Sequence, residues 1–376
     1  MIRSVNGNLP NILNRVAAFK KSLGALSSCG LARGHRANPT ASLRILSLYC
    51  TPVLMSGLGS LLLSSKELAM LDQQYKRTLQ NILKLSVSSP SSLVYFVAGS
   101  LLGTALIHLR QLSIFGMVCR LQGDPIHQHA VHVLLTSPAT AKSWFIQVRN
   151  ILLQYQLPHP LHFLHHPPPK SKFKKLVKSH VLDYWETRLR AESSYLPSLS
   201  YFHPNYLSLT KPHRLWTTAG QNIYEVSKAK IQLLFLSSQY PCGQRTRHWS
   251  RDNPEGYCSY PVCRAAQIVE TREHILVICP AYSQTRLSLT SSFLNPISHG
   301  VKTRNPQVQT LFLKSLLSSA KNFTQFILDP SSMPEVINYS QVYGNDIFSD
   351  SFYIGRTWCF SHHRERSKRL GKWNFI

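Results

Sequence analysis

Apolar residues recur at three- and four-residue intervals along most of this chain, the period of an α-helix with one buried face. Ile12, Val16, Phe19, Leu23 and Leu26 predict a helix over residues 11–26, with Lys20 and Lys21 between them. Asn38-Pro39-Thr40 is a helix start, and it opens a second helix from Ala41 to about Tyr49. Ser64-Ser65-Lys66-Glu67 is a capping box, in which the first serine and the glutamate bond to each other's backbone. The helix that follows places Leu68, Leu71, Tyr75, Leu79 and Ile82 on one face and Gln73, Arg77 and Gln80 on the other. Pro90 interrupts the pattern. Short and long helices then follow at Ser91–Ala98 and Thr104–Leu121. Further helices are expected over Ala139–Tyr155, Val181–Ala191, Ala229–Leu236 and Val308–Leu328, the last ending before Pro330.

The expected fold is therefore mainly α. Breaks in composition divide it into a helical region at 1–125 and a connector at 126–235. A small Cys/His-containing unit at 236–290 and a basic helical tail at 291–376 complete it. The connector contains His159-Pro160 and the run His165-His166-Pro167-Pro168-Pro169, a composition expected to form an extended, semi-rigid linker.

Composition adds a partner. The 376 residues carry 42 Lys and Arg against 16 Asp and Glu, a formal charge of +26, and 43% are hydrophobic. That is enough apolar material for packed cores, and the charge calls for a polyanion, nucleic acid before an anionic membrane surface. The N-terminus does not read as a secretory signal. Ile45–Ser65 and Leu85–Ile107 carry no formal charge and approach spanning length, but serines, glycines, Pro52 and Pro90 interrupt them. Packed helices are expected there and no membrane partner.

The most concentrated chemistry lies between Tyr257 and Tyr282. Cys258, Cys263, His274 and Cys279 follow the spacing Cys-x4-Cys-x10-His-x4-Cys, a complete soft tetrahedral ligand set for Zn²⁺. Pro261 favours a turn between the first two cysteines, and Thr271 can cap a short helix through His274. Pro280 disfavours helical geometry at Cys279, so the sulfur can turn back toward the imidazole. Cys242 is a second-choice ligand upstream. The alternatives are ordinary buried cysteines beside a surface histidine, or disulfides. Against disulfides, Cys29, Cys50, Cys119, Cys242 and Cys359 are scattered without a framework.

Two basic clusters are candidates for contacting phosphates. The first is Lys170, Lys172, Lys174, Lys175 and Lys178, with Phe173 among them. The second is Arg364, Arg366, Lys368 and Arg369, within a basic and aromatic stretch from Arg356 to Lys372. The lysine cluster reads equally as a nuclear-import signal or as a solvated face.

The cysteine unit, with Glu270-Thr271 before His274, Pro280 after Cys279, and Tyr282 and Arg286 beyond, resembles the C-terminal zinc knuckle of non-LTR (LINE-type) retrotransposon reverse transcriptases. The upstream helices are similar to the thumb of the same family. The matching features are Leu26-x-x-x-Gly30, Tyr49-x-x-Pro52-x-Leu54, and Leu71-Asp72 leading into Ile82-Leu83-x-Leu85. Where the family has Tyr-Gly, this chain has Ser56-Gly57. The order Phe326-x-Leu328-Asp329-Pro330, then Arg356-Thr357-x-Cys359-Phe360-x-x-His363-x-x-Arg366, then Leu370-Gly371-x-Trp373 is similar to the end of some invertebrate elements.

The resemblance implies a zinc-stabilised module that grips template RNA and target DNA in a ribonucleoprotein of nucleus and cytoplasm, beside an upstream polymerase domain. The chain itself contains no Asp-Asp pair to hold two catalytic metal ions. It has no Gly-x-Ser-x-Gly, phosphate loop or His-Glu-x-x-His either. No polymerase or other enzyme activity is expected. The competing expectations are a translated, non-functional relic of such an element and a membrane-associated basic protein.

Overall fold

The computed structural model describes residues 7–27, 38–290, 313–343 and 346–371. The fold is mainly α: 72% helical, with no strand among the described residues. The turn expected at Leu26–Gly30, the start of the helix expected at Val308, and Trp373 lie wholly or partly outside them.

Helix α1 (Leu9–Ser27) buries Ile12, Val16 and Phe19. Helix α2 (Pro39–Ile45) starts where Asn38 accepts the Thr40 N–H at 2.8 Å and donates its own amide to the Trp216 carbonyl at 2.9 Å. A π turn, Leu46–Cys50, joins it to α3 (Thr51–Met55). Helix α4 (Ser65–Leu83) has the expected box, with both Ser64–Glu67 bonds present. Its polar face differs from expectation at Gln80. That side chain is buried and donates to the carbonyls of Ser86 and Val87, tying down the loop after the helix.

Helix α5 (Ser91–Ala98) is buried at almost every position, and α6 (Gly103–Cys119) packs on α4. Asp72 of α4 links all three. Its carboxylate accepts from the Tyr95 hydroxyl at 3.0 Å and from the Thr104 N–H at 3.4 Å. Of the two uncharged stretches, Leu85–Ile107 supplies buried helix, while Ile45–Ser65 is a broken helix with Leu48, Tyr49 and Leu62 exposed. Among the described residues no single helix is long and apolar enough to cross a membrane. The pair α5 and α6 passes by length and composition only together, and it is bent by 63°.

Helices α7 (Pro125–Thr136), α8 (Trp144–Gln154) and α9 (Pro160–His165) precede α10 (Lys170–Ser194). Pro160–His165 is helical and Phe163 and Leu164 bury it, Phe163 edge-on to Phe173 at 5.2 Å, so only residues 166–169 of the histidine–proline run form a short non-helical link to α10. On α10, Phe173, Val177, Val181, Trp185 and Leu189 form a buried seam at four-residue spacing. Gly116 of α6 sets how closely that seam approaches, because an added Cβ there would stand 2.5 Å from the Phe173 ring. Behind the seam, the buried Tyr155 hydroxyl meets His108 Nδ1 at 2.7 Å and accepts the Trp185 N–H at 3.0 Å.

After α11 (Arg214–Thr217) and α12 (Ile223–Leu236) comes the cysteine unit, with α13 (Gly243–Thr246), α14 (Pro261–Ala265) and α15 over 283–290. A short α16 over 313–316, α17 (Ala320–Leu328), α18 (Pro334–Tyr343) and α19 (Asp346–Arg369) complete the chain. One hydrophobic cluster runs from Ile12 to Cys359 across the boundaries that composition suggests, and a smaller one lies around Phe326, Met333 and Phe348.

Helix α19 packs on α12 and α17 as well as on the cysteine unit. Arg356 donates to Glu225 of α12 at 2.6 Å, and Gln232 of α12 donates to the Ile327 carbonyl of α17 at 2.6 Å. The basic "tail" is therefore an internal brace along much of its length.

Candidate metal centre

The four ligands of the cysteine unit come from three short pieces of backbone. Cys258 follows Tyr257, which forms an isolated antiparallel bridge with Val269. The Cys258 N–H donates to the Ile268 carbonyl at 2.8 Å, and Asn253 holds both backbone groups of Tyr257. Cys263 lies in α14, begun by Pro261 as the turn chemistry requires. Gln267 then takes a left-handed conformation, φ 53°, which reverses the chain so that Ile268 N–H bonds back to the Cys263 carbonyl at 2.9 Å.

His274 and Cys279 are joined by a π turn, His274–Ile278. Thr271 Oγ1 accepts the His274 N–H at 3.0 Å, the cap expected from sequence. The Cys279 N–H closes on the His274 carbonyl at 2.7 Å. In an α-helix, positions five apart diverge by about 140°. A bond spanning five residues widens the turn and draws them back toward one side. Cys279 itself is extended, φ −57° and ψ 124°, immediately before Pro280.

The result is a compact, buried donor set. One donor atom from each of Cys258, Cys263, His274 and Cys279 lies within 4.8 Å of the others. Cys279 Sγ is 3.7 Å from Cys258 Sγ and 3.9 Å from Cys263 Sγ, far beyond the disulfide bond length of about 2.05 Å. Both His274 ring nitrogens are buried without a hydrogen-bond partner, a costly arrangement that a metal ion relieves. The hydrogen bond from Cys279 and the neighbouring His274 pull the Cys258 thiol down to about 4, and the same sharing pushes Cys279 up. One thiolate thus forms readily and the next resist, like charges in one burial site. A dication removes that resistance and takes all three as thiolates. The residues present therefore fit a metal ion. Cys242 is not among them; it caps α13.

The surroundings hold this unit rigidly. Glu270, between the bridge and the π turn, accepts the Gly243 N–H at 2.7 Å and is gripped by Arg366 of α19 at 2.8 and 3.1 Å. Trp358 of α19 donates its indole N–H to the Leu276 carbonyl at 2.9 Å, inside the π turn. Neither support was legible as such. Glu270 stands out only as part of Glu-Thr-x-x-His, and Trp358 only as one aromatic residue of the basic tail.

The basic candidates divide. Lys170, Lys172, Lys174, Lys175 and Lys178 are all exposed on the first turns of α10, opposite the seam. Arg364 and Lys368 are exposed on α19, with Lys368 4.0 Å from Glu365. Arg366 is turned inward to Glu270, and Arg369 donates to Glu365 and to the Ala281 carbonyl. Arg369 nevertheless stays exposed, so of the four expected phosphate contacts on α19 only Arg366 is withdrawn from the surface. The four look alike in sequence, but the helix turns Arg366 onto a buried carboxylate, where it serves the fold.

No family model, no curated protein and no solved structure matches this chain.

Proposed function

We propose that this chain is a zinc-stabilised RNA- and DNA-binding protein without polymerase activity of its own, similar to the thumb-to-knuckle portion of a non-LTR retrotransposon reverse transcriptase. The observation that carries the reading is the convergence of Cys258, Cys263, His274 and Cys279 within 4.8 Å, the residues on which that resemblance rests. Tetrahedral Zn–S bonds of about 2.3 Å place sulfurs about 3.8 Å apart. The two short S–S separations here, 3.7 and 3.9 Å, suit that ion. Three thiolates and an imidazole favour zinc over magnesium or calcium. Four protein ligands leave no position for an activated water, so the ion is structural.

The +26 charge and the five exposed lysines of α10 support a polyanion as partner. In this reading the protein works in an intracellular ribonucleoprotein, in nucleus and cytoplasm, beside a polymerase domain upstream. The deciding experiment is joint. Protein purified without chelator is assayed for zinc by elemental analysis, and its affinity for RNA and duplex DNA is followed against salt. One zinc per chain and a steep salt dependence are expected. Absence of zinc, or no nucleic-acid binding, overturns the reading.

A further inference from the structure

Two cavities open where α12 hands over to α13. One, of about 390 Å³, lies among Pro197, Ser198, Arg245, His248, Trp249 and Arg272. The other, of about 540 Å³, lies among Gln80, Lys84, Ser86, Leu234, Gln239 and Arg245. Arg245 lines both, and its guanidinium donates to the Ser238 carbonyl at 2.6 Å. No carboxylate lines either one among the described residues; Lys84 and Arg245 line the larger, Arg245 and Arg272 the smaller. Burial draws Arg272 down only to about 10, so it stays charged at neutral pH.

Trp249 is the unusual part. Trp185, Trp216 and Trp358 are buried, whereas Trp249 is 64% exposed. It is nevertheless carried on a fixed turn. Its N–H donates to the Thr246 carbonyl at 3.0 Å, and Thr246 N–H donates to Cys242 at 2.9 Å. Gly243, one residue on, is bonded to Glu270 of the metal unit. The cavity floor is fixed as well. Arg272 donates to the carbonyls of Phe235 and Leu236 that end α12, and it lies over the Tyr201 ring at 4.9 Å. Lys84 holds the far end in a left-handed conformation, φ 59°, with its side chain exposed.

We propose that the two cavities form one track for an unpaired nucleic-acid strand, with a base stacked on Trp249 and backbone phosphates along Arg245 and Lys84. The proposal rests on the nucleic-acid reading above and goes further by naming the form of the partner and its seat. A concave, positive, preorganised cleft with an exposed indole suits a splayed base, which offers a free π-face. Paired bases inside a duplex offer none. The lysine face of α10 has no such ring and takes phosphate from any strand.

The test uses the zinc-loaded full chain and fluorescein-labelled 12-nucleotide strands of oligo(dT), oligo(U) and an abasic phosphodiester of equal length. Trp249→Ala is expected to weaken oligo(dT) or oligo(U) binding about 5- to 150-fold at an unchanged salt slope. Trp249→Phe should recover most of the loss. The abasic strand should bind the parent and Trp249→Ala alike. A loss with both base-bearing strands assigns the stack to bases in general, and a loss with one assigns the track to that strand's nucleotide chemistry. Lys84→Asn, which tolerates the left-handed backbone, should flatten the single-strand slope by about 0.7. Circular dichroism and zinc content report whether each variant is folded, and Trp249→Phe decides if the alanine variant is not. If both Trp249 variants bind oligo(dT) and oligo(U) like the parent while the salt slope stays steep, the track is refuted and the nucleic-acid reading stands. If the parent binds neither these strands nor duplex DNA, both fail together.

Discussion

Arg366 and Glu270 form a two-pronged ion pair, 2.8 and 3.1 Å, that fastens the last long helix to the backbone of the metal unit. Glu270 is buried, and its carboxylate also accepts the Gly243 N–H, so the pair joins α19, α13 and the segment leading to His274. A bidentate guanidinium–carboxylate geometry adds direction to charge. Removing one partner leaves the other buried and unpaired, a loss of about 3–5 kcal/mol. Arg366→Met is therefore expected to lower the thermal midpoint and to speed zinc loss to a chelator, with little change in nucleic-acid salt slope. A slope reduction of a full unit with unchanged stability would instead return Arg366 to the phosphate contacts.

Cys279→Ser removes the sulfur closest to both other thiolates. The imidazole of His274 then again lacks a partner in a buried site, where leaving a polar group unsatisfied costs about 1–3 kcal/mol. The variant is expected to lose the ion and to unfold around Cys258–Pro280, because binding energy at a structural zinc is folding energy. Cys242→Ser, which alters a buried thiol at the N-cap position of α13 and no candidate ligand, should keep its zinc. Equal zinc in Cys279→Ser and the parent, measured by elemental analysis, would remove the centre.

Burial and the absence of a compensating charge draw the His108 imidazole down to about 4, so the folded chain keeps it neutral. In the unfolded chain it protonates near 6.5. The unfolded state therefore binds more protons between those values, and stability falls as pH drops from about 6.5 to about 4, by about 3 kcal/mol in total. His108→Gln, whose amide can still meet Tyr155, has no proton to take up. Urea midpoints at pH 7 and pH 4.5 should differ less for the variant than for the parent. Identical pH dependence in the two would contradict this assignment.

Much of the fold is written in local signals. The Ser64–Glu67 box, the Asn38-Pro39 start and the Ser91–Ala98 helix stand where side-chain spacing and caps place them, because those bonds span four residues or fewer. The four candidate metal ligands were legible for the same reason: their types and spacing are the chemistry. What escaped sequence reading is what depends on distant partners. Gln80 is polar yet buried, since loop carbonyls six and seven residues on receive it. Arg366 looks like Arg364, yet it meets a glutamate 96 residues away. Helix α9, just ahead of the proline run, packs because Phe163 finds Phe173, a contact that composition alone does not encode. The π turn at His274 was foreseen only as a broken helix, since its widening serves the ligand geometry rather than any local propensity.

Lys172, Lys174 and Lys175 are exposed on α10 while Phe173 and Val177 between and beyond them are buried. Alanine is a better helix former than lysine and none of the three side chains is packed inward, so the triple alanine variant should keep its fold and its zinc. Each phosphate contact on duplex DNA contributes about −0.9 to the slope of log affinity against log salt. If all three lysines contact phosphate, the slope should flatten by about two to three, and affinity should fall alike for all sequences. Arg364 and Lys368, exposed on α19, provide the comparison. Replacing that pair should flatten the slope by less than two, because Lys368 already lies near Glu365. An unaltered slope in the lysine triple variant, beside a large change in the α19 pair, would move the grip to α19. It would leave the α10 cluster as a solvated face or an import signal. Binding that persists at about 1 M salt, where the screening length is about 3 Å, would rule out an electrostatic grip at either place.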